Sequence, residues 1–144
     1  MPKLLLITYD AVLAKAYTVR LAKVGFTIEH RQTGHEGLVR ARQWTPELIL
    51  LDLALPGMNG LDVVKSLRDV PWLVKVPVVL LIERTLESTV LDECLLWGAT
   101  SAFQKDTGSL QDLVTHLTEI LQAHSVLSPT PPSPTASPSE SLLP

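Results

Sequence analysis

Cysteine and aromatic side chains are scarce in this chain of 144 residues, which contains one cysteine, Cys94, and 5% aromatic residues. A single cysteine excludes a disulfide within the chain and a CxxC metal or redox motif, so we expect Cys94 to be a small buried hydrophobic residue. Long apolar runs are also lacking, because Leu4 to Ile7 is too short for a signal-peptide core or a membrane span. We expect a cytoplasmic protein without membrane contact.

A surplus of basic residues is absent as well. The chain has 12 Lys and Arg against 15 Asp and Glu, for a formal net charge of -3. This balance excludes binding to a nucleic-acid backbone by charge alone, so we expect no direct nucleic-acid partner. The GxSxG motif of hydrolases and a glycine-rich phosphate loop are missing, and the four histidines lack metal-ligand spacing. A small hydrolase or flavin protein is therefore the weakest of the functions considered, and we expect no enzyme.

Proline is unevenly distributed, because six of the 11 prolines fall in the last 20 residues, where serine and threonine are also frequent. Such a segment cannot bury a hydrophobic core and favours extended conformations. We predict one domain over residues 1–124 and a disordered Pro/Ser/Thr-rich tail over residues 125–144. The tail is either a docking peptide for a proline-binding module or a solvated linker remnant.

Within the body, short apolar runs alternate with segments of helical period, which predicts an α/β fold. The predicted strands are Leu4–Ile7, Phe26–His30, Leu48–Leu51, Val78–Ile82 and Ser101–Phe103. The predicted helices cover Ala11–Val24, Glu36–Trp44, the region of Leu61–Leu67, Leu86–Trp97 and a last helix that opens at Ser109. Right-handed crossovers between such strands give a doubly wound parallel sheet with helices on both faces, for which we predict strand order 2-1-3-4-5.

Three titratable side chains follow core strands closely: Asp10, Asp52 and Lys105. In parallel sheets of this kind, ligands bind at the carboxyl ends of the strands, beside the point where the strand order reverses. The three side chains should therefore meet at one edge of the sheet, which makes this edge the candidate site.

The segment PELILLDLALPGMNGLDVVKSLR, followed by Lys105 after the fifth strand, resembles the receiver domain of two-component response regulators. The resemblance covers residues 3 to about 124 and implies the flavodoxin-like (βα)5 fold of a signalling protein in a phosphorelay. It further implies that Asp52 accepts a phosphoryl group from a partner histidine kinase and that Lys105 pairs with that group. Mg²⁺ would be held partly by an acidic pair after the first strand.

The acidic pair is where the sequence departs from the family, since its two positions are occupied by Thr8 and Tyr9. A phenol is a poor magnesium ligand, so we expect Mg²⁺ to bind weakly. Asp10, one place later, offers two interpretations: it either replaces the missing charge, with Asp52 and Asp10 as the metal ligands, or caps the first helix.

Two further departures affect the family's switch positions. The resemblance implies a hydroxyl after the fourth strand and an aromatic residue on the fifth, where this chain has Ile82 and Ala102. Phe103 follows Ala102 but should face the opposite side of the sheet because strand side chains alternate. The switch is therefore predicted to be degraded, while the acceptor position and its lysine remain.

Two functions follow from this combination. We favour a stand-alone pseudo-receiver, which binds a histidine kinase or another signalling protein without phosphorylation; the alternative is a fully working Mg²⁺-dependent phosphoacceptor. Asp52 and Lys105 should form a resident ion pair, and Tyr9 is a candidate second partner of the carboxylate. The resemblance implies an output surface on the fourth helix, fifth strand and fifth helix, where Trp97 is either an anchor or partly buried, whereas Trp72 should be a buried staple. The oligomeric state is left open.

Overall fold

The computed structural model describes residues 1–83 and 88–127, with residue 88 and residues 124–127 described by their backbone alone. The strands are β1 Lys3–Ile7, β2 Thr27–Arg31, β3 Leu48–Asp52, β4 Val78–Ile82 and β5 Ser101–Gln104. The helices are α1 Ala11–Lys23, α2 Gly34–Trp44, α3 Gly60–Arg68, α4 Ser88–Leu96 and α5 Leu110–Leu127, with a 3-10 turn at Pro71–Leu73. Of the predicted tail, only residues 125–127 are described, by their backbone at the end of α5, and residues 128–144 lie outside the described part of the chain.

The five strands form one sheet in the order β2-β1-β3-β4-β5, which confirms the predicted topology. Every neighbouring pair is parallel, with Ile7 opposite Leu51, Leu51 opposite Leu80, and Leu80 opposite Ala102. Because all strands point the same way, their carboxyl ends lie at a single edge. The order reverses at β1, so β1 and β3 carry the residues nearest the predicted crevice.

Hydrophobic clusters cover both faces of the sheet, as expected for strands that read as continuous aliphatic runs. The α1/α5 face holds Leu6, Leu50, Leu81 and Phe103 together with apolar residues of the two helices after which it is named. The opposite face packs alternate strand residues such as Leu51 against α2, α3 and α4. A sheet buried on both faces is a rigid support for side chains at its edge.

Several helices begin or end at residues that are typical of helix caps. Gly25 has φ of 105° after α1, which is the left-handed conformation that favours glycine. Ser109 and Asp112 form the predicted capping box, in which each side chain accepts a backbone N–H of the other residue. Thr33 caps α2 by accepting the Glu36 N–H at 3.1 Å, so α2 begins at Gly34, two residues before the predicted start.

Trp72 corrects one prediction, because it is 57% exposed rather than a buried staple. Pro71 opens a 3-10 turn that directs Leu73 into the core at 1% exposure and leaves the Trp72 ring outside. The indole Nε1–H of Trp72 donates to the Arg42 carbonyl at 3.2 Å.

The structure also bears on Cys94, on part of the predicted fourth helix and on the predicted end of the domain. Cys94 is fully buried, and burial raises the pKa of its thiol, as expected for an inert hydrophobic residue. The first two residues of the predicted fourth helix, at 86 and 87, lie outside the described residues. Helix α5 continues to Leu127, so the predicted domain boundary at residue 124 falls inside it. In the described part of the chain, no helix is long and apolar enough to cross a membrane.

Candidate functional site

Strand alternation places Thr8, Asp52 and Lys105 on one face at the carboxyl edge of the sheet, where hydrogen bonds to Asp52 join them in a short row. Each lies two residues beyond a strand residue buried on the α1/α5 face, respectively Leu6, Leu50 and Phe103. Side chains two residues apart on a strand share a face, so the row continues that buried face at its rim. The sheet ladder extends to both ends of the row, because the Thr8 N–H donates to Arg31 and the Lys105 N–H to Ile82.

The turn after Asp52 has the backbone geometry that its glycines allow. Gly57 has φ of 70°, in the left-handed region. A Cβ on Gly60 would lie 2.8 Å from the Leu53 Cα, so the start of α3 approaches β3 too closely for any side chain there. Asn59 caps α3 by accepting the Asp62 N–H at 2.9 Å. The motif therefore folds back tightly against the end of β3.

Asp52 is only 2% exposed, and three described donors hold its carboxylate. Lys105 Nζ donates to Oδ2 at 2.8 Å, Thr8 Oγ1 donates to the same oxygen at 2.8 Å, and the Ala54 N–H donates to Oδ1 at 3.0 Å. The predicted ion pair between Asp52 and Lys105 is present, with side-chain exposures of 3% and 13%. Among the described contacts of Asp52, its negative charge is thus matched by the one positive charge of Lys105.

Thr8 is the residue that sequence reasoning missed. It was predicted only as a lost acid, yet it is fully buried and is the second side-chain partner of Asp52. Tyr9, the candidate for that place, is 59% exposed, and the described donors to the carboxylate do not include its hydroxyl. The signal was available in the alternation of β1, because Leu6 and Thr8 share a face whereas Tyr9 follows in the loop.

Asp10 lies at the N-cap of α1, where its Oδ1 accepts the Leu13 N–H at 3.0 Å. It is exposed, and its own N–H donates to the Thr8 hydroxyl at 3.3 Å. The structure therefore agrees with the capping interpretation of Asp10, whose carboxylate is committed to the first turn of the helix.

The two predicted switch positions lie away from the carboxylate. Ile82 is 8% exposed within the hydrophobic cluster against α2, α3 and α4, and it offers the site only its carbonyl, which accepts the Lys105 N–H at 2.8 Å. Ala102 packs against the same cluster. Phe103 is buried on the α1/α5 face, 6.0 Å from the ring of His116, so its predicted opposite orientation is confirmed.

The negative charge of Asp52 also affects the pKa of a buried tyrosine of α1. Tyr17 of α1 is 4% exposed on the α1/α5 face, and burial followed by the negative charge of Asp52 raises the pKa of its phenol to about 12. The two causes act in the same direction because both disfavour a second negative charge. The charge of Asp52 thus contributes to the raised pKa of Tyr17, although no described hydrogen bond joins the two side chains.

Mg²⁺ prefers carboxylate and other hard oxygen ligands, commonly one or two carboxylates completed by water. Here the row supplies one carboxylate, already neutralised by Lys105, and a Thr8 hydroxyl whose proton points at that carboxylate. Among the described residues there is no group of three or more His, Cys, Asp or Glu side chains suited to a metal. The described donor set does not fit a divalent cation.

The arrangement still contains a carboxylate and a cation in contact. A carboxylate attacks phosphorus only when the transferring group is held in line and its charge is neutralised. Lys105 is already engaged by Oδ2, so an incoming phosphoryl group would have to share that cation with Asp52.

Comparison with known proteins identifies related chains. The family model described as "Response regulator receiver domain" matches residues 4–118. The DNA-binding response regulator MtrA of Mycolicibacterium paratuberculosis is 40% identical over 83 residues, which cover 58% of this chain and 36% of that protein. The transcriptional regulatory protein AfsQ1 of Streptomyces coelicolor is 36% identical over 84 residues, with the same shares. The chain thus spans about a third of the length of these curated relatives.

Solved structures share the fold. A CheY-like receiver domain protein from Methanospirillum hungatei superposes with a TM-score of 0.82 at 19% identity, covering 89% of this chain and 99% of that one. The chemotaxis response regulator CheY4 of Vibrio cholerae gives a TM-score of 0.78 at 23% identity, covering 83% and 98%. At these identities the likeness supports the five-stranded architecture alone.

Proposed function

Because the chain belongs to the response regulator receiver domain family, we propose that it is a receiver module whose Asp52 site is held in one state by its own residues. In this state it acts by binding a signalling protein, for which a histidine kinase or a downstream target is the expected kind of partner. The observation that carries the proposal is the Asp52 carboxylate itself, which is buried and engaged by Thr8, Lys105 and the Ala54 N–H.

Charge supports the proposal. A receiver that binds Mg²⁺ needs a surplus of negative charge at the site. Here the negative charge of Asp52 is cancelled by the positive charge of Lys105. Thr8 contributes a neutral donor where a second acid would attract the cation. An acid placed there would also repel Asp52, whereas the hydroxyl stabilises the ionised carboxylate.

The switch positions support it as well. A ligand shifts a two-state equilibrium only by its different affinity for the two states. Ile82 has no hydroxyl that could donate a hydrogen bond to a phosphoryl oxygen. Ala102 has no aromatic ring that could change its rotamer in response. A phosphoryl group on Asp52 would therefore have little leverage on distant surfaces.

The proposed output surface is formed by α4, β5 and α5. Leu95, Leu96 and Trp97 at the end of α4 are 41%, 85% and 45% exposed. Lys65 of α3 lies 5.4 Å from the Trp97 ring centroid, which holds one side of the ring and leaves the rest accessible. Large exposed apolar side chains next to one another are typical of interaction surfaces.

The alternative is a fully working phosphoacceptor. The contact between Asp52 and Lys105 favours it, because both retained groups are in place at 2.8 Å. In that case a carboxylate oxygen of Asp52 would attack the phosphorus of a donor, and the donor's leaving group would depart with the bonding electrons.

The test is treatment with acetyl phosphate and Mg²⁺, followed by intact mass. We expect no phosphoryl adduct on the wild-type chain, because the site does not gather Mg²⁺. The double variant Thr8→Asp/Tyr9→Asp should bind Mg²⁺ more tightly and gain one phosphoryl group, with acetate released. The triple variant that adds Asp52→Asn is the matched control and should gain none. A Mg²⁺-dependent adduct on wild type that Asp52→Asn abolishes would establish the working phosphoacceptor instead.

A further inference from the structure

Thr8 is joined to its surroundings by every hydrogen-bonding group it has. Its N–H donates to the Arg31 carbonyl at 3.1 Å, and its carbonyl accepts from His30 Nε2 at 2.8 Å. Its hydroxyl donates to Asp52 Oδ2 at 2.8 Å and accepts the Asp10 N–H at 3.3 Å. A fully buried side chain bonded in this way has one available orientation. The hydroxyl is therefore a fixed reference point between β2, β3 and the start of α1.

The two oxygens of Asp52 are treated unequally. Oδ2 receives both side-chain donors, Thr8 and Lys105, whereas Oδ1 receives only the Ala54 N–H among the described residues. Each carboxylate oxygen has two lone-pair directions, so the two donors occupy both directions at Oδ2. One direction at Oδ1 is left over after the described donors are counted.

We propose that Thr8 is a positioning residue for Asp52: its hydroxyl fixes the plane of the carboxylate so that Oδ2 faces inward and Oδ1 faces the turn at Ala54. Oδ1 is then the oxygen that keeps one acceptor direction beyond the Ala54 N–H among the described donors. The inference rests on the same site as the proposed function, but it concerns geometry and holds with or without phosphorylation of Asp52.

The hydroxyl, rather than the bulk of Thr8, carries this role. Valine has nearly the same shape and would keep the packing of the β1 end, but it cannot donate to Oδ2. Lys105 alone would then hold Oδ2 with a rotating ammonium on a flexible stem, which is a weaker constraint on the carboxylate plane. The bond between Oδ1 and the Ala54 N–H should loosen as a consequence.

The Ala54 amide provides the measurement, because its hydrogen bond goes to Asp52 and not to Thr8. We expect Thr8→Val to accelerate hydrogen exchange of this amide about tenfold relative to wild type, which corresponds to about 1.4 kcal/mol. Thr8→Ser, which keeps the hydroxyl, should stay within about twofold. The Leu50 amide in the core of β3 monitors global stability, and Ala54 exchange is compared with it in each variant.

An Asp52→Ala background separates positioning from general destabilisation. There the Ala54 amide has lost its acceptor, so adding Thr8→Val should change its exchange by less than about twofold. Thr8→Ala, which removes the same hydroxyl with less bulk, repeats the comparison if the valine variant folds poorly. Ala54 exchange that is unchanged by both variants, or equally accelerated in both backgrounds, would overturn the proposal. The acetyl phosphate experiment decides the proposed function independently.

Discussion

Two of the acidic side chains that pair with cations in the described part of the chain, Glu29 and Asp52, differ strongly in burial. Glu29 on the edge strand β2 accepts two bonds from Arg40, including Nη2 to Oε2 at 2.8 Å, and one from Arg31 at 3.1 Å. Asp52 accepts one bond from Lys105 at 2.8 Å. The Glu29 and Arg40 side chains are each 27% exposed, whereas those of Asp52 and Lys105 are 3% and 13% exposed.

The Glu29–Arg40 pair has two hydrogen bonds where the Asp52–Lys105 pair has one, yet we expect the Glu29–Arg40 pair to matter less for stability. The Arg40 guanidinium, mainly through its hydrogen bonds, lowers the pKa of Glu29, but exposed pairs contribute little to stability because water and salt compete. A buried charge has no such alternative, so removing its partner is costly even when the intact pair adds little. We therefore expect the free energy of unfolding to depend more on the buried pair at the sheet edge than on the exposed pair.

Breaking the buried pair should have the largest effect. Lys105→Met leaves the Asp52 charge buried with only two neutral donors, so we expect the free energy of unfolding at pH 7 to fall by about 3 to 5 kcal/mol. Urea denaturation measures the change, provided that the slope of the transition stays constant. Asp52→Asn combined with Lys105→Met removes both charges and should recover most of the loss. A loss below about 1 kcal/mol in Lys105→Met would show that water already solvates the pair.

Tyr17 extends the comparison, because it senses the buried charge from within the core. Its folded pKa of about 12 lies above the ordinary 10.0, so its neutral form stabilises the fold fully below pH 10. This contribution is lost as pH rises from 10 to 12, by about 2 to 3 kcal/mol in all. Urea titrations at pH 9, 10 and 11 should therefore show a steeper loss for wild type than for Tyr17→Phe.

Two checks sharpen this result. Cys94 also has a raised pKa and contributes its own alkaline loss, which cancels in the comparison with Tyr17→Phe. Asp52→Asn removes the second cause of the Tyr17 shift, so the pKa of the phenol should move toward 10.0 but stay above it, because burial is the larger cause. Spectrophotometric titration of the phenol follows that movement. An unchanged pKa would mean that Lys105 screens Asp52 completely.

Much of the fold was predictable because its signals are local. The aliphatic runs of β1, β3 and β4 and the left-handed glycine after α1 appear directly in the sequence, and the sheet order follows from right-handed crossovers. Trp72 was predicted wrongly because its exposure depends on how one 3-10 turn is oriented against the body, which no local pattern records.

The location of the site was predictable from the sequence, whereas most of its hydrogen bonds were not. Strand ends located Asp52 and Lys105, and their ion pair followed from opposite charge at one edge. The role of Thr8 was not predicted because a threonine after a strand is common and has no single function. Its hydrogen bond to Asp52, 44 residues later in the chain, depends on the packing of β1 beside β3. Hydrogen bonds between side chains distant in sequence depend on tertiary packing that residue patterns specify only coarsely.

The smallest effect is expected at the exposed pair. Glu29→Gln removes its charge, so the urea midpoint at pH 7 should fall by much less than in Lys105→Met. Because the folded pKa of Glu29 lies below its ordinary 4.5, the stabilisation is present above that pH and lost as pH falls through the folded value. The difference between wild type and Glu29→Gln should therefore shrink in acid. It should also shrink in 1 M salt, where screening acts over about 3 Å, whereas the Lys105→Met effect should persist because buried charges are screened much less. A Glu29→Gln effect that is insensitive to salt, or as large as that of Lys105→Met, would show that β2 contributes a second constrained pair and that burial alone does not separate the two.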